Sequence, residues 1–282
     1  MSTQTVQLSN GKTSYTFLGN RNAKHLILVF GGYHFPRNCD AFFNDLSDAL
    51  GYDYGIILYD YFGRGESDAP DGLYDENFYM KQVEELIDKI DKNHRSYDVI
   101  GYSFGGSIAT HFCYRHPKKV DRLILSGAWG TWEPFPAATY YMTKFGLSNF
   151  LYKAYWNAMP GALKKGFNEP DQAIIDNMLK VEKEIMSRSE GNLKKAILGT
   201  FKNFTRKTKD IVKSIATHPR KVLLVWGDND KIAPFKYAKA MHAIMPNSKL
   251  VGLDGNHNDL WLVPEKVEKL KNEMVKFLKE AK

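Results

Sequence analysis

Apolar and polar positions fall into two rhythms along this chain. The run His25-Leu26-Ile27-Leu28-Val29-Phe30 is continuously apolar after its first residue and ends at Gly31-Gly32. Such a run predicts a strand buried on both faces. Tyr54 to Tyr59, Tyr97 to Ile100, Val120 to Leu125, Lys221 to Trp226 and Lys249 to Leu253 read the same way. Between these runs the period changes to that of a helix. Phe42, Phe43, Leu46 and Leu50 follow a capping residue, Asp40, and stop at Gly51. Phe78, Val83, Leu86, Ile87 and Ile90 follow Asp75; Ile108, Ala109 and Phe112 run up to His116-Pro117. Pro234 to Met245 and Pro264 to Ala281 complete the helical stretches. Near the N-terminus, Thr5 to Leu8 and Ser14 to Leu18 predict two short strands joined at Asn10-Gly11, a hairpin dipeptide.

Buried strands alternating with helices predict an α/β fold, a mostly parallel eight-stranded sheet with helices on both faces. The alternation is interrupted once. From Trp129 to Pro219 no strand pattern occurs, only helical stretches with expected breaks at Pro134/Pro136, Pro160-Gly161, Pro170 and Gly191. The expected organisation is therefore a core of residues 1–128 and 220–282, with a helical insert of residues 129–219 lying over one edge of the sheet.

Composition narrows the function classes. The 282 residues are 43% hydrophobic and carry a net charge of +7. The basic residues are spread out rather than gathered in a stripe with a recognisable nucleic-acid module, so no nucleic-acid partner is expected. No apolar run approaches the length of a membrane span, and Met1 to Leu8 lacks a hydrophobic signal core. The two cysteines, Cys39 and Cys113, are far apart in sequence and suit a reducing compartment. A cytoplasmic location is the expectation.

Candidate chemistry sits where strands end, the place where open α/β sheets gather functional residues. The third buried run leads into Gly101-Tyr102-Ser103-Phe104-Gly105, a G-x-S-x-G turn that opens a helix. A serine there is pushed out of the fold and faces the positive end of the helix dipole. The other strand ends carry Gly31 to His34, Asp60, Gly227-Asp228-Asn229-Asp230 and Gly255-Asn256-His257-Asn258. A serine hydroxyl needs an imidazole base, and the imidazole needs a carboxylate. Ser103, an acid at Asp228 or Asp230, and His257 supply that set in chain order. His111 and His116 are read as helix residues. The loop Gly63-Arg64-Gly65-Glu66-Ser67 is read as a tight turn held by Asp60 or Ser67, not as a dinucleotide fingerprint. No clustered metal ligands are found, and no metal or cofactor is expected.

Five stretches in one order carry a resemblance: Phe30-Gly31-Gly32, Asp60-Tyr61-Phe62-Gly63-Arg64-Gly65-Glu66-Ser67, Gly101-Tyr102-Ser103-Phe104-Gly105-Gly106, Trp226-Gly227-Asp228-Asn229-Asp230 and Gly255-Asn256-His257. The chain resembles the α/β-hydrolase superfamily, in its capped serine esterase and lipase-like subgroup. The resemblance implies Ser103 as nucleophile, His257 as base and Asp230 as acid, with Asp228 the competitor. It implies an oxyanion hole from the N–H of Phe104 and that of Gly32 or Tyr33. Serine at the turn, where epoxide- and halide-processing relatives carry aspartate, implies acyl transfer.

The insert is rich in aromatic residues. His34, Tyr102, Trp129, Trp132 and Tyr141 are expected to line an apolar pocket for a small to medium ester. The amphipathic stretch Ala138 to Met159, with Lys144 and Lys153, has the makings of a weak contact with a lipid surface. The expected activity is a cofactor-independent serine hydrolase acting on carboxylic esters. Carbon–carbon bond hydrolysis in the same fold, or a slow-turnover ligand receptor keeping the triad, are the alternatives.

Overall fold

The computed structural model describes residues 3–33, 40–93, 96–134 and 136–280. His34 and Cys39 lie outside them, as does the side chain of Asp40, so their expected roles are left there.

The continuous apolar runs all become strands. β1 (Gln4–Gln7), β2 (Lys12–Gly19), β3 (His25–Phe30), β4 (Tyr54–Tyr59), β5 (Tyr97–Tyr102), β6 (Val120–Ser126), β7 (Lys221–Gly227) and β8 (Ser248–Leu253) form one eight-stranded sheet in the order β1-β2-β4-β3-β5-β6-β7-β8. β1 and β2 pair antiparallel, as do β2 and β4; every other neighbour is parallel.

Strand geometry explains why these runs show no alternation in sequence. Successive side chains point to opposite faces, and both faces are covered. Leu26, Leu28 and Phe30 of β3 enter one core, while Ile27 and Val29 enter the other. The first core receives α2 (Glu76–Ile90) and α3 (Phe104–Arg115); the second receives α1 (Asp40–Leu50) and α10 (Pro264–Lys279). Asp75 caps α2 as expected, its side chain accepting from the Phe78 N–H at 2.9 Å.

Between β6 and β7 the described residues hold α4 (Ala137–Lys144), α5 (Ser148–Lys165), α6 (Gln172–Asn203) and α7 (Thr208–Ala216), and no strand. Two expected breaks inside this insert are corrected. Pro160 lies within α5 and Gly191 within α6. A helix survives one missing N–H when tertiary contacts hold both sides of it: before Pro160, α5 buries Leu151, Tyr152 and Met159, and after it Leu163 O and Lys165 O accept from Asn258 and Asn256. A glycine in a helix costs only about 1 kcal/mol, too little to end a helix of 32 residues. After β7 come α8 (Phe235–His242) and, ahead of α10, the single-turn α9 (Asp259–Leu262), which the sequence pattern did not reveal.

Candidate active site

The turn after β5 departs from ordinary backbone geometry. Ser103 has φ 50° and ψ −123°, a positive φ that costs a residue with a side chain of order 1–3 kcal/mol. The strain is held from three sides. The Ser103 N–H donates to Ser126 O at 3.1 Å, and Ser103 O accepts from Gly106 N and Trp129 N, each at 2.9 Å. Close approach of two chains also requires glycine at 105, where a Cβ would stand 1.9 Å from Phe30 O. The end of β3 and the start of α3 are therefore pressed together beside Ser103.

The loops after β7 and β8 bring Asp230 and His257 to the same point. His257 Nε2 lies 3.1 Å from Ser103 Oγ, and His257 Nδ1 lies 2.8 Å from Asp230 Oδ2. Asp230 is buried, and its second oxygen accepts from Ile232 N at 2.8 Å and Ala233 N at 2.7 Å. One carboxylate oxygen is thus fixed by backbone while the other faces the imidazole. Asp228 does not reach His257. It is exposed, and its side chain accepts from Gly255 N at 3.3 Å, which closes the turn. Tyr102 stacks on the His257 ring with centroids 5.7 Å apart. Gly127 makes room on another side, since a Cβ there would come within 3.1 Å of the ring.

The loop after β3 is held by two side chains from the stretch after β4. The Tyr61 hydroxyl donates to Gly31 O at 3.0 Å. In a trans peptide the carbonyl and the following N–H point opposite ways. The grip on Gly31 O toward the core therefore turns the Gly32 N–H away from it, and Gly32 lines the cavity beside Ser103. Arg64, fully buried, donates from Nε to Tyr33 O and from Nη1 to the Tyr79 hydroxyl at 2.9 Å. Its guanidinium lies over the rings of Tyr33, Tyr61, Tyr79 and Phe104. The turn that carries Arg64 is tied as expected: Asp60 Oδ2 accepts from Glu66 N at 3.0 Å, and Ser67 Oγ donates to Asp60 O at 2.7 Å.

Ser103 and His257 open into a cavity of about 370 Å³. Of the residues expected there, Gly32, Tyr33, Tyr102 and Trp129 line it. Trp132 and Tyr141 do not. Trp132 packs partly buried against the core under Lys209, and Tyr141 stands 54% exposed on α4. Aromatic density in the insert could not separate side chains that face inward from those that face out. The lining instead includes Tyr155, Met159, Ala162 and Leu163 of α5, Met178 of α6, and Lys165, Lys231, Ile232 and Asn258.

The asparagines flanking His257 were also missed. Asn256 Oδ1 accepts from Lys231 N at 2.9 Å and His257 N at 2.8 Å, and its Nδ2 donates to Lys165 O at 2.9 Å. Asn258 donates from its backbone to Gly166 O at 2.8 Å and from Nδ2 to Leu163 O at 3.1 Å. The last carbonyls of a helix lack intrahelical donors. Two of those of α5, on Leu163 and Lys165, accept from the loop that carries the histidine. The N-H-N spacing around His257 was a visible signal, but polar loop residues are too common to single out unaided.

His111 and His116 stay away from this cluster. His111 Nδ1 is 2.7 Å from Ser107 O within α3, and His116 pairs with Glu84. Among the described residues no group of three or more His, Cys, Asp or Glu side chains is placed to hold a metal. No helix among them is long and apolar enough to cross a membrane.

A family model described as alpha/beta hydrolase fold matches residues 24–264, which covers β3 to β8 and the insert. The chain belongs to the α/β-hydrolase family. Among curated relatives of the chain, an uncharacterized protein of Mycobacterium tuberculosis is 24% identical over 228 residues, 76% of the chain and 64% of that relative. The chain thus spans just under two thirds of that protein's length. The 2-hydroxy-6-oxo-6-phenylhexa-2,4-dienoate hydrolase of Burkholderia cepacia is 26% identical over 255 residues, 86% of the chain and 83% of that enzyme. Among solved structures, an esterase from Exiguobacterium antarcticum superposes with a TM-score of 0.71 at 20% identity, covering 98% of the chain and 99% of its own. At that identity the likeness concerns the fold.

Proposed function

We propose that this hydrolase is a serine esterase that cleaves carboxylic esters with apolar acyl groups through an acyl-enzyme at Ser103, under a lid formed by residues 129–219. The observation that carries the reading is the hydrogen-bonded line Asp230–His257–Ser103 opening into the cavity. In the proposed cycle His257 Nε2 takes the Ser103 hydroxyl proton as Oγ bonds to the ester carbonyl carbon. The carbonyl electron pair moves to oxygen, between the N–H groups of Phe104 and Gly32. Asp230 stabilises the imidazolium. Collapse breaks the bond to the alkoxy oxygen, which leaves as the alcohol with the proton from His257. His257 then deprotonates a water that attacks the acyl-enzyme, and Ser103 is restored as the acid departs. The mainly aromatic and aliphatic lining, with Trp129, Tyr155, Met159 and Met178, supports an apolar acyl group.

A panel of p-nitrophenyl esters tests this. Wild type hydrolyses the panel and is labelled by a fluorophosphonate; Ser103→Ala does neither. No turnover above that variant, together with no labelling, overturns the reading in favour of a ligand receptor. Asp230→Asn lowers kcat about 10⁴-fold, whereas Asp228→Asn keeps activity within a few-fold.

A second reading, carbon–carbon bond hydrolysis, is favoured by the Burkholderia cepacia relative and by Lys165 and Lys231 at the cavity, where a substrate carboxylate would be attracted. Consumption of that relative's dienoate faster than any ester in the panel would decide for it.

A further inference from the structure

The insert carries its hydrophobic side chains on the outside at one place. Among the described residues, half of the large hydrophobic side chains that stand exposed fall within ten positions: Tyr141 at 54%, Phe145 at 77%, Leu147 at 50% and Phe150 at 65%. They occupy the end of α4, the turn at Gly146 and the first turn of α5. The Tyr141 and Phe145 rings stack on one another with centroids 6.4 Å apart, so they form a contiguous surface rather than scattered points. Exposed aromatic clusters of this kind mark interaction surfaces.

The stretch of chain that carries the cluster has charge of one sign. Residues 134–168 include Lys144, Lys153, Lys164 and Lys165 and no aspartate or glutamate. Lys144 and Lys153 are exposed beside the cluster. Two cations from outside the hairpin approach its aromatic rings: the Arg206 guanidinium lies over the Tyr140 ring and Lys194 over the Tyr152 ring. The nearest acid in sequence, Glu133, is engaged with the Tyr237 hydroxyl at 2.5 Å. Aromatic side chains at the tip of a hairpin, ringed by lysines, match the two demands of a bilayer interface: apolar insertion and attraction to anionic headgroups. A soluble protein partner with an apolar groove would satisfy the first demand but gives no reason for an acid-free stretch of this length.

We propose that the α4–α5 turn docks on the surface of a bilayer containing anionic lipid, with Phe145, Leu147 and Phe150 entering the interface and Lys144 and Lys153 meeting the headgroups. The helix that bears Phe150 also supplies Met159 to the cavity, about 13 Å further along its axis, so docking brings the cavity close to the membrane surface.

Cosedimentation of the full chain with phosphatidylcholine vesicles, with and without phosphatidylglycerol, tests the proposal independently of any turnover. Wild type binds the anionic vesicles and releases in high salt. Phe145→Ser/Phe150→Ser weakens binding about tenfold or more. Lys144→Gln/Lys153→Gln weakens it about fivefold per lysine. All these side chains are exposed, so circular dichroism and the thermal midpoint stay at wild-type values. Failure to bind anionic vesicles overturns the proposal, as does equal binding of wild type and variants. A vesicle-free dimer in sedimentation velocity that Phe145→Ser/Phe150→Ser converts to monomer also overturns it, by assigning the face to a second copy.

Discussion

At the scale of single residues, the site is a set of directions imposed on polar groups. Ser103 is aimed by a backbone angle, Asp230 by two N–H donors, and His257 by the asparagine before it. Tyr61 belongs to the same set, although it touches no reacting atom. Its hydroxyl orients the Gly31–Gly32 peptide, and in the proposed cycle that peptide supplies an oxyanion donor. Tyr61→Phe removes the grip without emptying the space. Loss of an oxyanion donor outright costs 10²–10³ in kcat, so loss of its orienting bond is expected to cost about tenfold. Steady-state kinetics with a soluble ester should show that drop in kcat with KM unchanged; a matching rise in KM would instead mean a distorted pocket. The three residues that meet at the cavity, Ser103, Asp230 and His257, were legible in the sequence because a G-x-S-x-G turn, an acid and a histidine at strand ends form a pattern. Tyr61 and Asn256 were not, because their work depends on which carbonyl they meet across the fold.

At the scale of elements, α3 carries more than the serine turn. His111 sits buried on it, facing the Phe204 ring, with its Nδ1–H donating to Ser107 O. Burial holds its pKa below the ordinary 6.5, with the hydrogen bond to Ser107 acting the other way. The folded state thus binds this proton more weakly than the unfolded chain does. Its contribution to stability is full above the unfolded value and is lost as pH falls through that value toward the folded one. Urea midpoints taken between about pH 7.5 and about pH 5.5 should fall, and the fall should be smaller in His111→Gln. An equal fall in both proteins would remove His111 as a cause. Strands were easier to read than helices at this scale. A two-sided buried strand is apolar wherever no charge is paired inside it, so β3, β4 and β7 stood out. The ends of α5 and α6 depend on what packs around Pro160 and on the small cost of Gly191, which no local pattern encodes.

At the scale of the molecule, one buried ion pair ties the sheet to its last helix. Asp98 on β5 and Arg122 on β6 are register partners, 2.7 Å apart, with side chains 1% and 2% exposed. Arg122 Nη1 also donates to Leu278 O and to Glu280 O at 3.2 Å, where α10 ends. Removing one partner from a buried pair costs about 3–5 kcal/mol because the other charge is left stranded. Arg122→Met should lose that much in urea unfolding, and Asp98→Leu/Arg122→Met should regain most of it. If the double variant is no better than the single one, the carbonyl contacts to α10 carry the stability and the ion pair does not.

The bonds from Asn256 and Asn258 to the end of α5 have a mechanical meaning as well. They weld the rear of the roof to the very loop that presents the imidazole. If the roof were to swing, these bonds would hold the end of α5 at Gly166 in place beside that loop. In the proposed cycle that back edge would stay in step with His257, so the geometry of the proposed base would not have to be rebuilt before the next turnover.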